Sequence, residues 1–243
     1  MAAPAPIEGM TAPGPATDSI AARVRRIRAQ VHDACARVGR DADSVTLIAA
    51  TKTHSAAVLV ESIAAGIADI GENYVQEGAA KVDALAPLLG AAGLPMPTRH
   101  FIGQLQRNKV RAALAAFDVL HAVGSDRLVE AIERAEPTNA VPCFIQVNLS
   151  GETSKGGICR EDLPSLVAKM QSSVATELLG LMTVPPAGPA AASRTWFRQL
   201  RMLASEHGLS HCSMGMTGDF EVAIEEGATH IRGGRAIFGE RQH

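Results

Sequence analysis

The sequence predicts an α/β fold, a single (β/α)8 TIM barrel with an extra helix before its first strand. Three observations predict it. Eight short apolar runs alternate with segments of helical composition, the pattern of parallel strands joined by right-handed crossovers. The runs are almost continuously apolar, as strands are when both faces are buried. Polar and ionisable residues gather directly after the runs, at the ends where barrels carry their chemistry. An open doubly wound sheet is the competing architecture.

The elements follow in order. Residues 1–17 are rich in Ala, Pro and Gly and are expected to form a flexible tail outside the fold; residues 18–243 form the barrel domain. Over 18–38, Ile20, Val24, Ile27, Val31 and Cys35 recur at steps of three and four, one face of an amphipathic helix. Thr17 or Asp18 is suited to cap its start, and Gly39 its end. The period then shortens. Strands are expected at 44–50, 67–71, 100–105, 119–123, 143–149, 178–184, 210–214 and 229–232. Helices are expected between them at 56–65, 75–88, 109–116, 125–135, 161–172, 190–207 and 219–226.

Bulk properties narrow the function. With 243 residues, 47% hydrophobic, the chain suits one barrel-sized domain. A net charge of −2 gives no basic surplus for nucleic acid. No run of 18 apolar residues suits a membrane span, and residues 1–17 lack the basic and apolar regions of a secretion signal. Cys35, Cys143, Cys159 and Cys212 form no CxxC pair, and are expected as buried free thiols of a reducing compartment, which places the protein in the cytoplasm. The eight histidines show neither HxxxH nor HExxH spacing, so no metal site is expected.

The strand ends carry the candidate chemistry. Only five of the 23 basic residues are lysines: Lys52, Lys81, Lys109, Lys155 and Lys169. Lys52 follows the apolar run Leu47-Ile48-Ala49-Ala50. Burial there would favour the neutral amine, which attacks aldehydes and suits a Schiff base with a carbonyl cofactor. A lysine that merely snorkels to the rim explains the position equally well. Lys155, in Glu152-Thr-Ser-Lys-Gly-Gly, is the rival amine, expected to be solvated on a loop. Lys109 reads as a surface residue. Ser213-Met-Gly-Met-Thr217-Gly218-Asp219 runs into a helix and suits a phosphate cradle, or an ordinary capped helix start. Arg232-Gly233-Gly234-Arg235 follows the last strand, where barrels build phosphate sites.

Together these segments resemble a known family. Ala50-Thr-Lys-Thr, Asp69-Ile-Gly-Glu-Asn-Tyr-Val-Gln-Glu, His100-Phe-Ile-Gly-Gln-Leu-Gln-Arg-Asn-Lys-Val-Arg, Gln146-Val-Asn-Leu-Ser, Ser154-Lys-Gly-Gly, Gly180-Leu-Met, Ser213-Met-Gly-Met-Thr-Gly-Asp and Ala236-Ile-Phe-Gly are similar, in the same order, to the pyridoxal phosphate homeostasis protein family, itself similar to the barrel domain of alanine racemase. The resemblance covers about residues 20–241. It implies pyridoxal 5′-phosphate as cofactor and a role in vitamin B6 homeostasis. It implies Lys52 as the Schiff-base lysine, Ser213, Thr217, Gly233 and Gly234 as phosphate-binding positions, and Arg232 as the residue facing the pyridine nitrogen. Asn73, Ile102 and Met214 match positions lining the cofactor. The family usually reads Arg-Ile/Leu-Gly-Thr where this chain reads Arg-Gly-Gly-Arg, so Arg235 replaces a small hydroxyl residue. It either adds a charge contact or points away.

An arginine stays protonated and donates to the ring nitrogen, which weakens the ring as an electron sink and argues against transamination. Racemisation needs a second base. The related racemases take a Tyr from a C-terminal β domain, which this sequence is expected to lack. Its one tyrosine, Tyr74, is expected to pack or line the pocket. A carrier or buffer of pyridoxal phosphate without turnover is therefore the favoured expectation, and a minimal amino-acid racemase the alternative. Pyridoxal phosphate is the expected partner, with apo forms of its enzymes as candidate clients, and the expected state is a monomer.

Overall fold

The computed structural model describes residues 18–152 and 155–239; the tail expected over 1–17 lies outside them. Eight strands, β1 (Thr46–Ala50), β2 (Asp69–Glu72), β3 (Thr98–Phe101), β4 (Val119–Val123), β5 (Val141–Gln146), β6 (Thr176–Met182), β7 (His211–Met216) and β8 (His230–Gly233), pair in sequence order, every pair parallel. β8 pairs back onto β1, with Ile48 beside Arg232, so the sheet closes. The open sheet is thereby excluded.

Helix α1 (Ile20–Arg37) precedes the barrel and buries Val24, Ile27, Val31, Ala34 and Cys35, the stripe that the spacing predicts. Each large aliphatic on that face contributes roughly 1.5–3 kcal/mol of burial. The cap is Ser19, whose hydroxyl accepts from the Ala22 amide at 3.2 Å, rather than Thr17 or Asp18. Gly39 follows the last turn at φ +66°, a conformation that suits glycine. The outer layer continues with α2 (Ala56–Ala64), α3 (Val75–Ala92), α4 (Val110–Ala116), α5 (Asp126–Glu133), α6 (Leu163–Ser172), α7 (Ala190–Glu206) and α8 (Phe220–Glu225). A further short helix, α9 (Arg235–Phe238), follows β8 and is not signalled by the sequence pattern.

Several strand boundaries differ from expectation for identifiable reasons. β5 begins at Val141 although Pro142, which has no N–H for the ladder, falls inside it. β3 begins at Thr98 and leaves the sheet after Phe101. There the chain crowds its neighbour: a side chain at Gly103 would lie 2.1 Å from the Asn73 carbonyl oxygen.

Two apolar regions fill the molecule. The larger lies between sheet and helices. The smaller, Val119, Ala122, Phe144 and Met182, accompanies a group of aromatic rings inside the barrel. Phe144 on β5 stacks on His121 of β4 at 4.4 Å and meets His230 of β8 edge-on at 5.0 Å. Strands that are not neighbours touch in this way only across the barrel interior. That interior is unusually rich in histidine, where branched aliphatics are the common filling.

Candidate functional site

A cleft of about 710 Å³ opens at the C-terminal ends of the strands. Lys52, Asn73, Ile102, Thr217, Arg232 and Gly234 all line it, so the structure brings together six of the nine residues singled out in the sequence. Gly233 directly precedes Gly234 and packs its α-carbon side towards Ile237 and Leu47. Ser213 is wholly buried: its Oγ accepts from Arg232 Nη1 at 2.8 Å and lies 2.9 Å from His121 Nδ1. Met214 is fully buried in the larger apolar core.

Lys52 sits on a strained turn. Thr53, immediately after it, has φ +69°, a rare conformation for a β-branched residue. Its amide donates to Glu77 Oε1 at 2.6 Å. Lys81 Nζ donates to the Thr51 carbonyl at 2.5 Å, to Glu72 Oε1 at 2.5 Å and to Glu77 Oε1 at 2.8 Å. The Thr51 hydroxyl also bonds Glu72. Burial raises the Glu77 carboxyl, but the Lys81 ammonium and the Thr53 amide outweigh it and hold the group below the usual carboxylate range. The residues on both sides of Lys52 are thus anchored to α3, while Lys52 turns into the cleft. Sequence reasoning passed over Lys81 because its role depends on α3 lying against the β1 and β2 ends.

The loops after β7 and β8 form the other part of the cleft. Gly234 donates its amide to Thr217 Oγ1 at 3.4 Å, which ties the two loops together. Gly215, at φ +91°, has no room for a side chain: an added Cβ would lie 2.5 Å from that of Ala223. Asp219 accepts from the Met216 amide at 2.7 Å and from Ser193 Oγ at 2.9 Å, closing the β7 loop. α9 begins at Arg235, and the first amides of any helix lack partners within it. Arg235 is exposed and lines the cleft, so it stands at the rim on the cleft side.

Arg232 is buried at the cleft wall, with Nη2 donating to the Thr183 carbonyl at 3.1 Å. Burial pulls its guanidinium down to about 10, against the opposing pull of Asp219; it remains a cation at neutral pH.

Three expectations need correction. Tyr74 is 63% exposed and lines a separate small depression with Phe101 and Gln104, so it neither packs nor lines the cleft of Lys52. Lys155 is on a loop as expected, but it lines the same cleft with Nζ shut off from solvent, 3.2 Å from Glu152 Oε1. Cys159 is exposed, because its loop runs over the surface, whereas Cys35, Cys143 and Cys212 are buried thiols. Burial pushes the Cys212 thiol up to about 11 and makes it inert. Among the described residues, no cluster of His, Cys, Asp and Glu suits a metal, and no helix is long and apolar enough to cross a membrane. The cleft also takes in His54 and the Val184–Gly188 loop, whose plain composition carried no signal.

A parallel eight-stranded barrel with a lysine just after β1, facing the loops that follow β7 and β8 across one cleft, defines a class. Residues 17–242 match the family model of the alanine racemase N-terminal domain. Alanine racemase from Corynebacterium glutamicum shares the fold, with a TM-score of 0.62 at 18% identity over 90% of this chain and 62% of that one. Much greater similarity is found to proteins named pyridoxal phosphate homeostasis protein. That of Pseudomonas aeruginosa is 39% identical over 93% of this chain and 97% of its own, and that of Escherichia coli K12 is 35% identical over 93% and 98%. PipY of Synechococcus elongatus, solved with PLP bound, superposes with a TM-score of 0.80 at 35% identity over 91% of this chain and all of PipY. The chain belongs to the pyridoxal phosphate homeostasis protein family.

Proposed function

We propose that this protein binds pyridoxal 5′-phosphate as a Schiff base on Lys52 and acts in vitamin B6 homeostasis as a carrier, without turnover of its own. The observation that carries the reading is the convergence, in one cleft, of the Lys52 amine with Thr217, Gly234 and Arg235. The cofactor, when bound, supplies an aldehyde for the amine and an electron-withdrawing ring.

The chain's own residues have separable tasks. Lys52 presents its amine from a turn anchored by Lys81 and Glu77. The Thr217 hydroxyl, held by the Gly234 amide, and the start of α9 offer donors to a phosphate, with Arg235 adding positive charge at the rim. Arg232, lining the cleft as a cation, would donate to a ring nitrogen of the bound group without protonating it. Asn73 and Ile102 shape the wall. The carrier reading is supported by the position of Tyr74, the sequence's single tyrosine, outside this cleft. A reducing, cytoplasmic location and a monomeric state belong to the same reading, with apo enzymes that use the cofactor as clients.

The test is an absorbance titration of the purified protein with pyridoxal phosphate, followed by borohydride reduction and mass spectrometry. A visible band and a reduced adduct on Lys52, both absent in Lys52→Ala, are expected. An adduct confined to Lys155, or none at all, overturns the assignment. Incubating the holoprotein with L-amino acids and separating the enantiomers tests the absence of turnover; steady formation of D-product overturns the carrier reading.

A further inference from the structure

We propose that Asp69, His100, His121 and Ser213 form a hydrogen-bonded positioning relay through the barrel interior, which fixes the Arg232 guanidinium in the cleft and compensates its charge. The proposal rests on the cofactor reading above, since a ring nitrogen in the cleft is what Arg232 would meet.

The row is continuous. Asp69 Oδ1 lies 2.9 Å from His100 Nε2, and His100 Nδ1 lies 2.9 Å from His121 Nε2. His121 Nδ1 lies 2.9 Å from Ser213 Oγ, which accepts from Arg232 Nη1 at 2.8 Å. The four members come from β2, β3, β4 and β7, and Arg232 from β8, so only the closed barrel assembles them. Asp69 is the first residue of β2, at the far end of the barrel from the cleft.

The two ends fix the order of the protons. Arg232 only donates, and an ionised Asp69 only accepts. His100 must therefore carry its proton on Nε2. With both histidines neutral, His100 Nδ1 accepts from His121 Nε2–H, and His121 Nδ1 accepts from the Ser213 hydroxyl. Every donor then points from Arg232 towards Asp69, and no ring nitrogen in the row is left unpaired. His121 is fully buried, and burial, followed by the charges of His100, His230 and Arg232, pushes its imidazole well below the usual range. His230 stands beside the row, its ring 5.9 Å from that of His121, but its Nδ1 is occupied by Thr229 Oγ1 at 2.9 Å.

The arrangement explains how Arg232 is held. Among the described residues, no carboxylate lies within ion-pair distance of its guanidinium, although a buried charge is costly without compensation. Aligned hydrogen bonds polarise one another and carry the influence of Asp69 across the interior. An aliphatic filling would close the barrel as well but leave Nη1 without a partner and Arg232 held only through Nη2 at the Thr183 carbonyl. A row of polar groups that begins at a carboxylate and ends at the cleft's arginine has a directional purpose that packing alone does not require.

Asp69→Asn, Ser213→Ala and the double variant test the relay, with affinity for pyridoxal phosphate and the pH midpoint of its visible band as readouts. Asp69→Asn, although remote from the cleft, is expected to weaken binding by about 3- to 10-fold and to move the midpoint, and the double variant should be no weaker than Ser213→Ala, because coupled residues are non-additive. Unchanged affinity and midpoint in Asp69→Asn, or effects that multiply in the double variant, overturn the proposal. Nitrogen-15 spectra of the histidines in the unmutated, cofactor-free protein judge it independently of variant folding. They should show His100 and His121 as Nε2–H tautomers; an Nδ1–H tautomer at His121 overturns the relay. Failure of the unmutated protein to take up the cofactor sinks the functional reading instead, and leaves the tautomers to decide the relay.

Discussion

Lys81 Nζ donates to the carbonyl of Thr51 at 2.5 Å, so the residue just before Lys52 is held by an ammonium that also bridges Glu72 and Glu77. Glu72 is almost wholly buried and Lys81 largely so. Removing one partner of such a group strands the other charge, at a cost of about 3–5 kcal/mol. Lys81→Met should lower unfolding free energy by an amount near the bottom of that range, because the Thr51 hydroxyl still bonds Glu72. It should also slow the reaction of Lys52 with pyridoxal phosphate by loosening the turn. Denaturant melts and stopped-flow absorbance measure the two effects; a variant as stable and as fast as the parent contradicts this account.

Thr53 stores strain next to Lys52. A β-branched residue at φ +69° costs on the order of 1–3 kcal/mol relative to a residue at ease there. Thr53→Gly should therefore leave stability unchanged or raise it by up to about 1 kcal/mol, since glycine adopts the conformation freely but loses more chain entropy. If the strain serves to aim Lys52, the same variant should bind the cofactor more weakly. A thermal melt together with the absorbance titration separates these effects.

The fold was largely legible in the sequence, and the site partly so. Alternation gave the eight strands because burial on both faces leaves little polar sequence inside them. The candidate residues Lys52, Thr217, Arg232 and Gly234 were legible because barrels place chemistry at strand ends. Three features were not. α9 spans only Arg235–Phe238, too short for a period to show. The Lys81 anchor depends on how α3 docks. The histidine row is invisible because His100, His121 and Ser213 lie on three different strands, and no linear spacing relates them. A His standing at an inward position of a short apolar strand, as in Val119-Leu-His-Ala-Val, is the one hint that could have prompted a search for polar filling.

Gly215 tests the close packing behind the β7 loop. Its φ of +91° and the 2.5 Å approach of an added Cβ to Ala223 combine two penalties. Gly215→Ala should destabilise the protein by roughly 2 kcal/mol or more, as overpacking and an unfavourable φ act together. It should also weaken cofactor binding, since Thr217 and Asp219 are carried on the same loop. A change in melting temperature within error would show that the loop yields more readily than its geometry indicates.

Arg235 stands exposed at the rim of the cleft, and that position makes its contribution electrostatic. Arg235→Thr should weaken pyridoxal phosphate binding by about 3- to 10-fold at low salt, as expected for a partly screened charge near a phosphate. The difference between variant and parent should shrink as salt is raised towards 0.5 M, since the screening length then falls to a few ångströms. Equal affinity at low salt would mean that the side chain turns away from the anion.

The buried histidines set the acid limit of the fold. Burial first, then the charges of His100 and His211, push the His230 imidazole down to about 3, and His121 is held well below the usual range for the same leading reason. In the unfolded chain both titrate near about 6.5. Between these values the unfolded state binds the additional protons, so stability must fall as pH falls. Above about pH 6.5 neither group contributes a slope; below it each contributes up to about 1.4 kcal/mol per pH unit. For His230 the loss continues to about pH 3, where the folded state begins to take up its own proton. Denaturant unfolding at pH 8, 7, 6 and 5 should give equal stabilities at the first two values and a steepening loss at the last two. This window lies above the range in which Glu77, Asp118 and Glu226, all held low by hydrogen-bonded cations, start to protonate. A loss between pH 6.5 and 5 therefore belongs to the histidines, and a flat profile across it would mean that water reaches the barrel interior and relieves their burial.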